Sequence, residues 1–489
     1  MLKIEKQDEV FLKVSCEPSI AKELSCFFTF KVPNHQFTPA FKRKKWDGTI
    51  KLFNLASQTT YVGLLDYIIK FCEERSYKYE LHNFSIEKYD FEYIKKWLFE
   101  EKIYSNGKQI IPHEYQVDAV IHAILNNRAL LLSPTGSGKS LIIYLILKFL
   151  LQHKDNSRFL IVVPTTGLVT QLSNDFADYC NHDKSILRNL HTIFQGKEKI
   201  TSRRIVISTW QSIYKESPDF FSNFTGIFGD EVHLFSAKSL VAMMRKSKYS
   251  KYRFGTTGTL DNTQAHKLLI EGLFGRTYSV TTTKELMDDK ILSNLTINSL
   301  LLSYDINDYQ HIKKCNYQHE IEWLVTNNKR NKFICDLANN LNGNTLLLFN
   351  YVEKHGLPLY EYLKNQKIKD VFLIYGKTEI EQRENIRKIV DNHTNSILVA
   401  SYGTCSTGIN IKNINSIIFA SPSKSVVRVL QSIGRGLRKS DRKDTATVYD
   451  LGDNLSWKSY RNHTLRHMDE RLAIYTKEKF TFSIKNIRL

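Results

Sequence analysis

Two stretches of this chain carry residues whose types and spacing can do chemistry. Residues 133–140 read Ser-Pro-Thr-Gly-Ser-Gly-Lys-Ser, and Asp230-Glu231-Val232-His233 follows downstream at the end of an apolar run. Around the first, the apolar residues 129–132 predict a short buried strand, and 141–151 a buried helix. Between them Gly136 and Gly138 let backbone N–H groups turn toward one point. The following helix aims its positive end there, so a polyphosphate is held favourably. Pro134, Thr135 and Ser137 complete the cradle, Lys139 reaches the β- and γ-phosphates, and the Ser140 hydroxyl ligates magnesium. The usual pattern begins with Gly, and Ser133 holds that place here. A strand over 225–229 would deliver Asp230 and Glu231 to the carboxyl edge of a sheet, where α/β ligand sites lie. Asp230 then holds magnesium, and Glu231 orients and deprotonates the attacking water. An isolated Asp-Glu pair is usually a solvated turn. Downstream of a phosphate loop, the pattern points to binding ATP with magnesium and hydrolysing it.

Composition is compatible with such a site and adds a polyanionic partner. The formal net charge is +19 over 489 residues, although a generally basic surface gives the same number. That length suggests roughly two to four domains, and 42% hydrophobic residues suffice for proper cores. The seven cysteines are scattered without a Cys-x-x-Cys pair, which favours reduced thiols in a cytoplasmic setting and argues against zinc. The first residues lack the pattern of a signal peptide. The apolar run 141–151 contains Lys148 and is too short to span a bilayer.

Further motifs follow in order. Pro112-His113-Glu114-Tyr115-Gln116 precedes the phosphate loop, and the Gln116 amide could read an adenine edge by donating and accepting together. Pro164-Thr165 follows a predicted strand at 159–163, Thr209-Trp210-Gln211 one at 204–207, and Thr257-Gly258-Thr259 one near 253–255. Each is weak alone, since hydroxyl residues after strands are common helix caps. Hydroxyls at strand ends can also hold phosphates without reading bases. In this order the motifs resemble those of superfamily 2 helicases of the DExH type, over about residues 105–440. Thr257-Gly258-Thr259 stands where many relatives have Ser-Ala-Thr. The resemblance gives Thr165, Thr209 and Gln211 contacts to the nucleic-acid backbone. It gives His233, Thr257 and Thr259 a part in coupling hydrolysis to movement.

A second set of strand-like runs recurs at 344–349, 371–374, 396–400, 416–420 and 446–449, with helical character at 379–391. This alternation predicts a second parallel α/β domain. Gln431-Ser432-Ile433-Gly434-Arg435-Gly436-Leu437-Arg438 matches the family's sixth motif. The transition state of phosphoryl transfer spreads negative charge over the γ-oxygens, and a guanidinium can neutralise it. Arg435 and Arg438 share one face of a helix at that spacing. The resemblance also assigns Gly408 and Asn410 to nucleotide binding and Gln431 to coupling; Asn410 stands where many relatives have Asp.

The first hundred residues belong to neither half. Their notable stretch is Phe41-Lys42-Arg43-Lys44-Lys45-Trp46-Asp47-Gly48, four cations between two aromatics before an Asp-Gly turn signal. Lys42, Arg43, Lys44 and Lys45 could grip phosphates while Trp46 stacks on an opened base. Alternatively, the aromatics belong to a small core and the cations are merely solvated. The arrangement resembles phage recombination helicases of the UvsW type. That resemblance implies an ATP-dependent DNA helicase acting on branched DNA: Holliday junctions, stalled forks and R-loops. The competing readings are a double-strand translocase, an RNA helicase and a catalytically dead binding protein. The expected architecture is α/β, with a small α+β nucleic-acid-binding domain (1–100) and two RecA-like parallel-sheet motor domains (101–288 and 289–489). The last carries a basic tail whose residues 461–471 could form one helix, which either packs on the second motor domain or touches DNA; packing is the favoured expectation, with a few of the cations near DNA. Residues 284–330 are expected to connect the two halves. ATP and Mg²⁺ are the expected cofactors. DNA or DNA–RNA hybrids are the expected partners of a monomer with no membrane association.

Overall fold

Runs of Leu, Ile, Val and Phe with no polar face must be buried on both sides, which favours parallel sheets covered by helices. The computed structural model describes every residue except 34, 85–88, 182, 195, 197, 237, 261–262, 313–314, 407–412, 423–433, 435–444 and 457–459; it leaves aside the side chains of 184, 185, 236, 311, 380, 405 and 406. The chain divides into two compact units, Met1–Ser133 with Gly138–Val280, and Thr281–Leu489 with the loop tip Pro134–Ser137.

Each unit is built on a seven-stranded sheet. The first runs, edge to edge, Leu190–Ile193, Ile205–Thr209, Phe159–Val163, Gly226–Asp230, Tyr252–Thr257, Arg128–Leu132 and Thr277–Ser279. Every pairing in it is parallel. The helix Lys139–His153 is apolar almost all round, with Leu141 to Leu147 buried without a break, so it lies inside the layer packing rather than on the surface.

The second sheet is also parallel throughout. Its order is Asp370–Ile374, Ser396–Ser401, Thr345–Phe349, Ser416–Phe419, Thr445–Asn454, Asn294–Ser303 and Thr481–Arg488. Two of these strands fall outside the expected set. Asn294–Ser303 lies in the stretch expected only to connect the halves, yet it pairs along its whole length with Thr445–Asn454. Thr481–Arg488 joins it from the tail. The helix His463–Lys477 packs on this unit as expected: Arg471 is buried and donates from Nε to Asp450 Oδ1 at 2.8 Å.

The N-terminal module is α+β. Its mixed sheet runs Thr59–Tyr61, Phe11–Ser15, Leu2–Lys6, Tyr79–His82, with the last pair parallel. It shares one hydrophobic core with the first motor sheet, in which Leu2 and Phe71 join Leu160 and Phe274. Arg128 Nη2 donates to Glu9 Oε2 at 2.5 Å, Tyr67 Oη to Glu271 Oε2 at 2.7 Å, and Arg245 Nε to Tyr61 Oη at 2.9 Å. At Gly63 a Cβ would lie 2.0 Å from the Glu271 carbonyl oxygen, so this approach of backbones requires glycine. The helix Phe91–Glu100, expected in the N-terminal module, instead packs into the first motor domain. Ile94 and Leu98 join that core, and Trp97 meets Phe149 edge-on at 5.0 Å.

Candidate nucleotide site and nucleic-acid surface

The phosphate loop links Arg128–Leu132 to Lys139–His153. Gly136 and Gly138 take φ of 90° and 82°, the left-handed region that turns successive N–H groups inward. A Cβ at Gly138 would also lie 2.3 Å from Gln116 Nε2. Gln116 is buried, and its Oε1 accepts the His113 N–H at 2.9 Å. Its carbonyl therefore holds the start of the helix Glu114–Asn126, while its amide nitrogen lies close against Gly138. Ser137 Oγ donates to Pro134 O at 2.7 Å, within the loop tip that also holds Thr135. Lys139 Nζ donates to Ser133 O at 3.2 Å, and Ser133 N–H to Thr257 O at 2.8 Å. Ser140 Oγ shares a hydrogen bond with Tyr179 Oη at 2.9 Å.

Asp230 ends the strand Gly226–Asp230 at its carboxyl edge. Its Oδ1 accepts from Thr256 Oγ1 at 2.8 Å and from the Glu231 N–H at 3.0 Å. Burial and the neighbouring Glu231 carboxylate push the Asp230 carboxyl up to about 6, against the pull of Lys139. Glu231 itself sits at φ 53°, a left-handed conformation uncommon for Glu and worth on the order of 1–3 kcal/mol of strain. His233 Nδ1 lies 3.0 Å from Thr257 Oγ1 and 3.3 Å from Glu231 Oε2. Thr257 Oγ1 gives its own proton to Thr259 O at 2.8 Å. It must therefore accept from His233 Nδ1–H, which fixes the tautomer by hydrogen bonding. A continuous polar chain thus runs Glu231–His233–Thr257–Thr259.

The donor set suits magnesium. The Ser140 hydroxyl and the Asp230 carboxylate are hard oxygen donors. A carboxylate raised by burial and a like charge is also one that a cation would relieve. The same crowding has a consequence for stability. The unfolded carboxyl ionises near 3.8 and the folded one near about 6, so rising pH between these values favours the unfolded chain. The destabilisation is absent at lower pH and complete above about 6. Asn keeps the acceptor for Thr256 and Glu231 N–H but cannot ionise. Asp230→Asn should therefore stabilise the protein near pH 8 by on the order of 1–3 kcal/mol, with no gain near pH 4. Thermal melts at both pH values check this, and a lower melting temperature at pH 8 would contradict it.

Thr165, Thr209 and Gln211 come together at one sheet edge. Their strands are neighbours, with Val163 opposite Thr209. Thr165 caps the helix Thr166–Tyr179, with Oγ1 accepting from Leu168 N–H at 3.4 Å. Thr209 Oγ1 shares a hydrogen bond with Ser212 Oγ at 2.8 Å, and Gln211 Nε2 donates to Pro164 O at 3.1 Å. In the N-terminal module, Thr29–Lys31 and Thr49–Lys51 pair antiparallel and the basic residues lie in their long connection. Lys42, Arg43, Lys44 and Lys45 are exposed, and Trp46 is half-buried with Nε1 donating to Thr49 O at 2.7 Å. Phe41 meets His35 edge-on at 4.7 Å, and Gly48 makes room for that His35 ring. Phe41 thus belongs to a small loop core, while Phe37, 68% exposed, is the freer aromatic. Gln36, Phe41, Lys42, Lys44, Trp46 and Lys51 line a cleft of about 910 Å³ there. Gly408, Asn410, Gln431, Arg435 and Arg438 lie outside the described residues. Sequence reasoning missed Thr256 and Tyr179. The first adjoins a recognised motif, but nothing local marks the second.

Two parallel sheets, a phosphate loop, an Asp-Glu-Val-His segment at a strand edge and hydroxyls along the same edge define a superfamily 2 helicase motor. Family profiles match residues 1–82 ("DNA helicase UvsW, N-terminal"), 85–262 ("Type III restriction enzyme, res subunit") and 329–440 ("Helicase conserved C-terminal domain"). Over its full length the chain is 33% identical to the ATP-dependent DNA helicase uvsW of Enterobacteria phage T4, all of which is covered. The crystal structure of T4 UvsW matches with TM-score 0.53 and 31% identity, over 100% of this chain and 99% of that one. A fragment of a putative HsdR subunit of a type I restriction enzyme from Vibrio vulnificus YJ016 shares the fold, with TM-score 0.57 and 16% identity over 86% of this chain and 74% of that one. The chain belongs to the UvsW family of ATP-dependent DNA helicases. Among the described residues no helix is long and apolar enough to cross a membrane.

Proposed function

We propose that this helicase works on branched DNA, migrating Holliday junctions, regressing forks and unwinding R-loops in recombination, replication and repair. The observation that carries this reading is the N-terminal module. It exposes four consecutive cations beside aromatics, and its core is continuous with that of the motor domain bearing the nucleotide residues. A grip on DNA built this way would move as one piece with that motor domain.

In the proposed chemistry, the loop 133–140 holds the ATP phosphates through its N–H groups and Lys139. Ser140 and Asp230 would hold Mg²⁺, which supplies charge neutralisation at the β- and γ-phosphates. Glu231 takes a proton from the attacking water. Arg435 and Arg438 neutralise the γ-phosphoryl charge, Arg438 as the finger, with Gly408 and Asn410 contributing to the nucleotide site. The chain Glu231–His233–Thr257–Thr259 reports hydrolysis to the strand edge where Thr165, Thr209 and Gln211 hold the DNA backbone, with Gln431 as a further link. We place the protein in the host-cell cytoplasm as a monomer.

The test is ATPase stimulation by single-stranded DNA, duplex, a four-way junction, an R-loop and RNA. Strongest stimulation by junctions or R-loops supports the proposal. Equal stimulation by plain duplex favours a translocase, and stimulation by RNA alone rejects a DNA substrate. For the basic loop, replacing residues 42–45 with alanines should weaken DNA binding and flatten its salt dependence. For duplex, the slope of log K against log[salt] falls by about 0.9 for every phosphate the protein ceases to neutralise. An unchanged slope would return these cations to the solvent.

A further inference from the structure

Ser140 and Tyr179 belong to different helices, Lys139–His153 and Thr166–Tyr179, yet their hydroxyls lie 2.9 Å apart. We propose that Tyr179 is a positioning residue for the cation site: its phenol oxygen accepts the Ser140 proton, leaving the serine lone pairs directed at the metal. This rests on the reading of Ser140 as a metal ligand.

A serine hydroxyl has one proton and two lone pairs. Once a lone pair is committed to a cation, the proton needs an acceptor elsewhere, and one fixed in advance spares reorganisation. Groups that hold metal ligands in this way commonly matter 10- to 100-fold for metal affinity. Tyr179 is well placed to be fixed. Its ring packs against Tyr144 with centroids 5.5 Å apart, and Phe176 on its own helix packs on the same Tyr144 ring at 5.4 Å. Tyr144 comes from the helix that carries Ser140, one turn further along. The neighbouring Tyr144 hydroxyl is buried without a partner among the described residues, whereas Tyr179 Oη is directed at Ser140. Within this aromatic contact, the phenol directed at the phosphate loop is the one that is hydrogen-bonded.

The bland alternative is a hydrogen bond that only ties two helices together. Tyr179→Phe separates the readings, because it removes the hydroxyl and keeps the ring. The measurement is the affinity of the full chain for a fluorescent ADP analogue, mant-ADP, with Mg²⁺ and in EDTA, alongside thermal melts. We expect Tyr179→Phe to leave the EDTA affinity unchanged and to cut the Mg²⁺-dependent gain by about 10-fold. The Mg²⁺ concentration for half-maximal ATPase should rise correspondingly. An undiminished Mg²⁺-dependent gain, with or without a lower melting temperature, would overturn the proposal and leave a structural tie. Ser140→Ala serves as the reference. If it too keeps the full gain, the assignment of Ser140 to the metal fails. If Ser140→Ala loses the gain and Tyr179→Phe keeps it, only the role of Tyr179 fails.

Discussion

Replacing Lys139 with alanine should lower ATP hydrolysis by at least about 10³-fold, the scale on which charged groups at a transferring phosphoryl act. The ammonium at the first turn of Lys139–His153 donates to Ser133 O, within the curl of the loop it serves. On the proposed reading, removing it takes away the positive charge aimed at the β- and γ-phosphates. It also has a second effect, on Asp230. Lys139 is the charge that pulls the Asp230 carboxyl down against burial and Glu231. Without it, that carboxyl rises further above about 6, and a larger fraction is protonated near neutral pH, where an ionised oxygen is needed for a cation. The variant should therefore lose nucleotide affinity and show a Mg²⁺ requirement displaced to higher pH. Steady-state ATPase with junction DNA and nucleotide titrations at several pH values measure both effects. Turnover near the wild-type rate in a folded variant would sink the assignment of this loop.

Glu231→Gln should slow hydrolysis by about 10² to 10⁴-fold, the range for losing a positioned general base, while ATP and DNA stay bound. The amide matches the carboxylate in size and need not disturb the left-handed backbone at this position. It also removes the charge that helps raise Asp230, so the Asp230 carboxyl should fall toward its ordinary value. Metal and nucleotide binding should then persist to lower pH than in the wild type, the opposite of the Lys139→Ala displacement. A filter or gel assay with labelled ATP and a four-way junction should show a long-lived ternary complex. Rapid hydrolysis would remove Glu231 from the chemistry. Loss of ATP binding would instead make it a structural residue, strained for some other reason.

These opposite expectations arise from three side chains, and the sequence placed two of their sources plainly. Lys139 and Glu231 stand in local patterns: a glycine-rich turn between a strand and a helix, and an acidic pair after an apolar run. Local patterns are legible because backbone conformation and burial periodicity act over a few residues. For that reason the strands Phe159–Val163 and Thr345–Phe349 and the helix Lys139–His153 appear where apolar runs put them.

What the sequence could not show depends on residues meeting from far apart. Thr481–Arg488 is largely exposed and alternates polar with apolar residues only from Thr481 to Lys485, too short a signal to mark it, so its pairing with Asn294–Ser303 is what makes it a strand. The same pairing turns the expected connector into part of the second sheet. Arg471 reads as one more cation of a basic tail. The fold buries it against Asp450, because a buried carboxylate on the neighbouring strand needs a partner. Trp46 and Phe41 looked equivalent around the basic run, but a loop core ties Phe41 to His35 and leaves Phe37 in solvent. Gln116 was legible as a candidate nucleotide-side residue. Its engagement with His113 and the close approach to Gly138 were not. The sequence by itself therefore determined where the phosphate loop and the acidic pair stand and the order of elements that carries them. Tertiary structure alone decided that the N-terminal module shares a core with the first motor domain, that Asp230 is pushed toward neutrality, and that Tyr179 reaches Ser140. Each of these is a through-space effect of burial, charge or hydrogen bonding between residues that no local pattern connects.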